Sequence, residues 1–184
     1  GHIVFEVPKL DSQRYWIDAH ELWEKSDWAQ GDLFAPIGED IEGNPIGINF
    51  SDSATAHLLI AGSTGSGKSV ALETILYGLC QKIDTNSLRL HLIDPKGVEL
   101  VRLEDDPKTK GYIDGQVGYD AQDAINILSN LVDEMERRYR SLFRSVRASS
   151  IQEYNQKVSS GDAIPWRVVV LDEYNDLVSE REDK

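Results

Sequence analysis

The residues with the most chemical content form one run, Gly62-Ser63-Thr64-Gly65-Ser66-Gly67-Lys68-Ser69. It fits G-x-x-x-x-G-K-[ST] at every specified position. The spacing has a physical purpose. Gly62, Gly65 and Gly67 let the backbone take positive φ and come close to an anion. Successive N–H groups then face one concavity and can cradle phosphate oxygens. A helix opening there adds its positive end. Lys68 supplies charge for the β- and γ-phosphates, and the Ser69 hydroxyl can ligate Mg²⁺. A Gly/Ser-rich turn can match by chance. The setting argues otherwise, because an apolar run precedes the motif and a helical pattern that includes Val70 follows it.

A second group lies at the end of Val168-Val169-Val170-Leu171-Asp172-Glu173. Many buried strands end in an acid that does nothing but meet solvent. Beside a phosphate loop the pair gains meaning. Asp172 is expected to hold Mg²⁺ through water, and Glu173 to orient or deprotonate the attacking water. The adjacent Glu favours hydrolysis over nucleotide storage, and disfavours a small-molecule kinase.

Asp94-Pro95-Lys96 ends another apolar stretch. Ligands gather at the carboxyl ends of strands in open parallel sheets, so Asp94 and Lys96 can face a nucleotide edge or a subunit boundary. An ordinary capped turn with a solvated lysine fits as well, and Glu99 has no role that its chemistry suggests. Arg137, Arg140, Arg144 and Arg147 fall on one helical stripe. This can be a phosphate-contacting or subunit-contacting patch, or a solvated face near a helix end. His2, His20, His57 and His91 show no metal-ligand spacing.

The elements that must position these groups follow from patterning. Residues 57–61, His57-Leu58-Leu59-Ile60-Ala61, read as a short buried parallel strand. Residues 69–82 read as a helix with Ala71, Leu72, Ile75, Leu76 and Leu79 on one face. Residues 88–93 alternate as a strand, which Pro95 terminates. Asp120 is a good N-cap, and Ala124, Leu128, Leu131, Met135, Tyr139 and Leu142 recur after it at helical spacing. Residues 168–171 form a β-branched strand. Strand and helix alternate, so the fold class is α/β with a mostly parallel sheet flanked by helices.

Residues 1–50 read as an N-terminal flanking segment packed on the main domain, residues 51–184. The flank opens on Gly1-His2, a cloning remnant. It contains Trp16, Ile17, Leu22, Trp23 and Trp28 around a moderate helix over residues 18–29. A turn at Gly43-Asn44 and a strand over residues 46–50 follow.

Composition sets outer bounds. The chain has 184 residues, enough for one domain with a sizeable core. No apolar stretch approaches the roughly 20 residues that cross a bilayer, and no signal peptide is visible, so a cytoplasmic location is expected. Cys80, the single cysteine, reads as a small buried hydrophobe. The net charge is −13, from 32 acids and 19 bases. Autonomous nucleic-acid binders usually carry a basic footprint. Any nucleic-acid contact therefore needs a local patch or residues outside this chain.

Taken together, the motifs resemble the FtsK/SpoIIIE family of DNA-translocating ATPases. The resemblance begins near Ile37-Gly38-Glu39-Asp40-Ile41-Glu42-Gly43-Asn44-Pro45 and runs through residues 57–70. It continues with Ile93-Asp94-Pro95-Lys96, Glu99-Leu100, Glu134-Met135-Glu136-Arg137-Arg138-Tyr139, Tyr154-Asn155 and Leu171-Asp172-Glu173. It covers about four-fifths of the chain and is far more specific than the phosphate loop alone. It implies a RecA-like P-loop NTPase core, ATP with Mg²⁺, and a homo-oligomeric, hexameric ring around duplex DNA. It also makes Asp94 and Lys96 part of a family motif. Where family members often carry D-E-F-A-D, this chain has Asp172-Glu173-Tyr174-Asn175-Asp176, which leaves both acids in place. The family's later strands and DNA-facing loops are absent, so the domain is expected to be a partial one, truncated on its C-terminal side. Leu171-Asp172-Glu173-Tyr174 is also similar to the FtsK-like motor of phosphorothioation-dependent DNA restriction proteins.

Three functions are consistent with this reading. One is an ATP-driven duplex DNA pump, in which the isolated segment hydrolyses slowly because charge-stabilising arginines come from a neighbouring subunit. The second is a polypeptide secretion motor of the same superfamily. The third is a non-hydrolysing, nucleotide-dependent assembly switch.

Overall fold

The structure is a computed structural model, and it describes residues 15–26, 33–173 and 177. Trp28 and the run Tyr174-Asn175-Asp176 lie outside the described residues.

Helix α1 (Ala19–Lys25) starts where the Asp18 carboxylate accepts the N–H groups of His20 and Glu21. A hairpin follows, β1 (Phe34–Glu39) antiparallel to β2 (Pro45–Asn49). Helix α2 (Lys68–Lys82) leads to β3 (Leu88–Ile93). The short α3 (Arg102–Asp105) and a 3₁₀ turn (Lys110–Tyr112) precede α4 (Ala121–Arg137). Helix α4 runs on through a π-helical segment (Arg138–Phe143) into the single turn α5 (Arg144–Val146). Helix α6 (Ile151–Lys157) returns the chain to β4 (Trp166–Leu171).

Strands β3 and β4 are parallel, in register from Leu88↔Trp166 to Ile93↔Leu171. The segment 113–118 lies along the other edge of β3, bridged at Leu90↔Ile113 and Ile93↔Gly118. Alternation along β3 divides the core. Leu88, Leu90 and Leu92 are fully buried and share one cluster with Ile75, Leu76 and Leu79 of α2. Ile93 points to the other face and packs with Ala124 of α4. Leu33 and Ala35 join the α2 cluster, so the hairpin of the flank belongs to the same core. Trp23 of α1 sits against Gly78 of α2, where an added Cβ would come within 2.8 Å of its indole nitrogen.

The expected helices and strands are present with shifts at their ends, except that the flank helix expected over 18–29 stops at Lys25, where Ser26 turns extended, and that one strand is missing. Residues 57–61 make no ladder. Leu58 and Leu59 are exposed, Leu59 by 87%. Both edges of β3 are taken, by β4 and by 113–118, and along the second edge of β4 this run forms no ladder. An apolar run looks the same in sequence whether or not a neighbouring strand is there to accept it.

The apolar stripe of α4 is a further surprise. Ala124 is its one buried residue, and Ile125, Leu128, Val132, Met135 and, beyond the helix end, Tyr139 stand exposed. Cys80 is buried, and burial pushes its thiol up to about 12. Two of the four arginines in the stripe are paired with acids one turn back, and Arg147 caps α5 in a left-handed conformation, outside the helix. Arg137 is bound by Glu134 at 2.7 Å, and Arg140 by Glu136 at 2.7 Å.

Candidate nucleotide site

The Gly-rich loop leads directly into α2. Gly67 is the N-cap residue, with φ +95°, and Gly65 has φ +79°. Side chains rarely adopt these values, which is why glycine occupies both. At Gly62 the crowding is different, since a Cβ there would lie 2.2 Å from the Ser66 hydroxyl and would force that side chain to turn. The loop is tied by the Ser66 N–H donating to the Ser63 carbonyl at 3.0 Å. Thr64 lies in this exposed turn, Lys68 and Ser69 open α2 half-buried, and Val70 is 66% exposed.

The structure brings the two sequence groups together. Asp172 follows β4, and its N–H donates to the Ile93 carbonyl at 3.0 Å, which keeps it level with the end of β3. Lys68 Nζ donates to Asp172 Oδ1 at 2.6 Å and to Glu173 Oε1 at 3.4 Å, across 104 and 105 residues of chain. The hydrogen bond to Asp172 holds the Lys68 ammonium above its usual pKa. Asp172 is 4% exposed. Its Oδ2 is buried and has no hydrogen-bond partner among the described residues. A buried carboxylate oxygen without a donor is costly. A hydrated divalent cation beside a phosphate-binding lysine relieves that cost, so the donor set suits Mg²⁺.

Glu173 carries a positive φ of 52°, a left-handed conformation that costs a non-glycine residue roughly 1–2 kcal/mol. Such strain concentrates where a site must aim a side chain. Here the Glu173 carboxylate lies between two lysines, because Lys96 Nζ reaches Oε2 at 3.6 Å.

Sequence reasoning left Asp94 open between a capped turn and a functional edge. Asp94 is fully buried, and its carboxylate accepts the N–H groups of Gly97, Val98, Glu99 and Leu100 at 2.8–3.0 Å. The signal was in the sequence as Asp-Pro-Lys-Gly, a run suited to an aspartate folding the backbone onto itself. Glu99 reaches Arg102, 3.5 Å away.

Residues 20–178 match the model of the FtsK/SpoIIIE family. The DNA translocase FtsK of Campylobacter jejuni is 37% identical over 175 residues, covering 94% of this chain and 18% of that protein. The DNA translocase SftA of Bacillus subtilis is 38% identical over 181 residues, covering 96% of this chain and 18% of that protein. The chain thus spans about a fifth of the length of these relatives. Among solved structures, the cytoplasmic domain of the Thermomonospora curvata type VII secretion ATPase EccC aligns with TM-score 0.65 and 26% identity, over 91% of this chain and 20% of that one. The cytoplasmic domain of EssC shares the fold with TM-score 0.62 at 21% identity, over 80% of this chain and 29% of that one. With Lys68 set against the acids that end β4, and the family model matched over most of its length, this chain belongs to the FtsK/SpoIIIE family of P-loop ATPases.

Proposed function

We propose that residues 51–184 form the ATP-binding and hydrolysing core of a duplex DNA translocase, with residues 1–50 as a packed flank. The observation that carries this reading is the meeting of Lys68, Asp172 and Glu173 at one strand end, together with translocases as relatives. The backbone of residues 62–70 binds the ATP phosphates, and the Lys68 ammonium offsets their charge. Ser69 and Asp172 hold Mg²⁺, Asp172 through water. When bound, Mg²⁺ neutralises charge on the phosphate oxygens. Glu173 orients the attacking water and takes its proton on the carboxylate. The working unit is a homo-oligomeric ring, hexameric as in the resemblance, acting in the cytoplasm. Duplex DNA is gripped through the ring, and this segment alone hydrolyses slowly.

The test is ATP turnover by the full-length protein with and without long duplex DNA. Stimulation by DNA that vanishes in Glu173→Gln supports the reading. The fold shared with a secretion ATPase favours a second reading, a polypeptide motor. Turnover that ignores DNA and rises with a substrate polypeptide selects it. Tight nucleotide binding without any turnover in the assembled ring selects an assembly switch.

A further inference from the structure

The turn that carries Lys96 is built with unusual care. Asp94 is fully buried. Its Oδ1 accepts the Gly97 N–H at 2.9 Å, and its Oδ2 accepts those of Val98, Glu99 and Leu100 at 3.0, 3.0 and 2.8 Å. The Gly97 N–H is shared with the Asp94 carbonyl at 3.0 Å, and Gly97 has φ +63°. The Asp94 N–H donates to the Gly118 carbonyl at 2.8 Å, which ties the turn to the far edge of β3. Leu100, 1% exposed, anchors the other side of the turn in the core. Every one of these contacts fixes where Lys96 starts, and Lys96 ends 3.6 Å from Glu173 Oε2.

We propose that Lys96 is a positioning residue for the catalytic glutamate, holding the Glu173 carboxylate in place through Oε2. The inference rests on the assignment of Glu173 as the base. Lys68 already has a phosphate duty in that assignment, and it touches Oε1, not Oε2. Lys96 comes from a different strand end, on the turn that follows β3. An exposed ion pair of this kind adds little to stability, since the two side chains are 52% and 37% exposed. A buried four-donor anchor beneath it is therefore better explained by a need for placement. With the carboxylate so held, the water's O–H bond breaks toward Glu173, and its electron pair stays on the attacking oxygen.

The test uses the full-length protein with Lys96→Met, Lys96→Arg, Glu173→Gln and the double variant Lys96→Met/Glu173→Gln. Two quantities are measured, steady-state ATP turnover and affinity for a fluorescent ATP analogue. Lys96→Met should lower kcat by about 10- to 100-fold, the scale of a misplaced reacting group. Analogue affinity should stay within about twofold, since the residue acts on the base and not on the ligand. Lys96→Arg should restore most of the rate. In the Glu173→Gln background, Lys96→Met should cost nothing more, because residues acting as a unit are non-additive. An unchanged kcat in Lys96→Met overturns the inference. So does a loss of analogue affinity, or an additive loss in the double variant. A Glu173→Gln variant with wild-type turnover removes the base assignment itself, so the two failures are told apart.

Discussion

The Asp94 anchor predicts a stability cost that can be worked out from its hydrogen bonds. In Asp94→Asn the side chain keeps its size but presents one oxygen in place of two. The less costly orientation leaves that oxygen in the Oδ2 position, where it retains the three donors Val98, Glu99 and Leu100. Each bond changes from a charged to a neutral acceptor, a loss of about 1 kcal/mol. The new NH₂ meets the Gly97 N–H donor to donor, which adds to the loss, although that N–H still has the Asp94 carbonyl at 3.0 Å. The three weakened bonds alone amount to about 3 kcal/mol, and the opposite orientation costs more because it strands three donors. At roughly 2–4 °C per kcal/mol for a domain of this size, Tm should fall by about 6–12 °C. Calorimetry and urea unfolding both measure it, and the urea midpoint should move with its slope unchanged. A Tm within about 2 °C of wild type would refute the claim that this carboxylate organises the turn.

Other outcomes follow from single contacts. Lys68→Ala should weaken ATP binding by an order of magnitude or more, measured by titration of a fluorescent nucleotide, because it removes the cation at the phosphate loop. Cys80 should resist maleimide at pH 8 in the folded protein and react once urea unfolds it, since burial holds its thiol near 12. Glu134 is held down to about 2, first by its hydrogen bond to Arg137 and then by that to Arg138. A carboxylate depressed in the fold contributes stability above its ordinary value of 4.5 and loses that contribution as pH falls towards 2. Glu134→Gln should therefore cost roughly 1–3 kcal/mol at pH 7, with the difference from wild type disappearing near pH 2 in thermal unfolding scans.

What could be read in the sequence, and what could not, divides along the range of the interactions. The phosphate loop, the N-cap at Asp120 and the β-branched run before Asp172 are local signals, and local sterics and hydrogen bonds produce the elements they announce. The Asp120 carboxylate does accept the Asp123 N–H, at 2.8 Å. The sequence assigned Lys68, Asp172 and Glu173 to one nucleotide site, and the fold sets Lys68 within reach of both acids. The failures are non-local. Residues 57–61 are apolar enough for a strand, but a ladder needs a partner that no local pattern specifies. The stripe on α4 has the period of a packed face, yet periodicity does not say whether anything covers it. Lys96 could not be joined to Glu173 before the parallel register of β3 and β4 made their ends level. At Asp94 the turn itself was legible in Asp-Pro-Lys-Gly, but not that four N–H groups converge on one buried carboxylate, which depends on how the backbone of that turn closes.

The most direct test of the central claim is single-turnover hydrolysis with binding measured in parallel. Full-length wild type and Glu173→Gln are loaded with radiolabelled ATP and Mg²⁺, and bound nucleotide and released phosphate are followed together. The account predicts equal loading, with phosphate release slowed by about 100-fold or more in Glu173→Gln, the scale of a lost general base. Equal release from both proteins would contradict the assignment of Glu173 and with it the proposed hydrolytic centre.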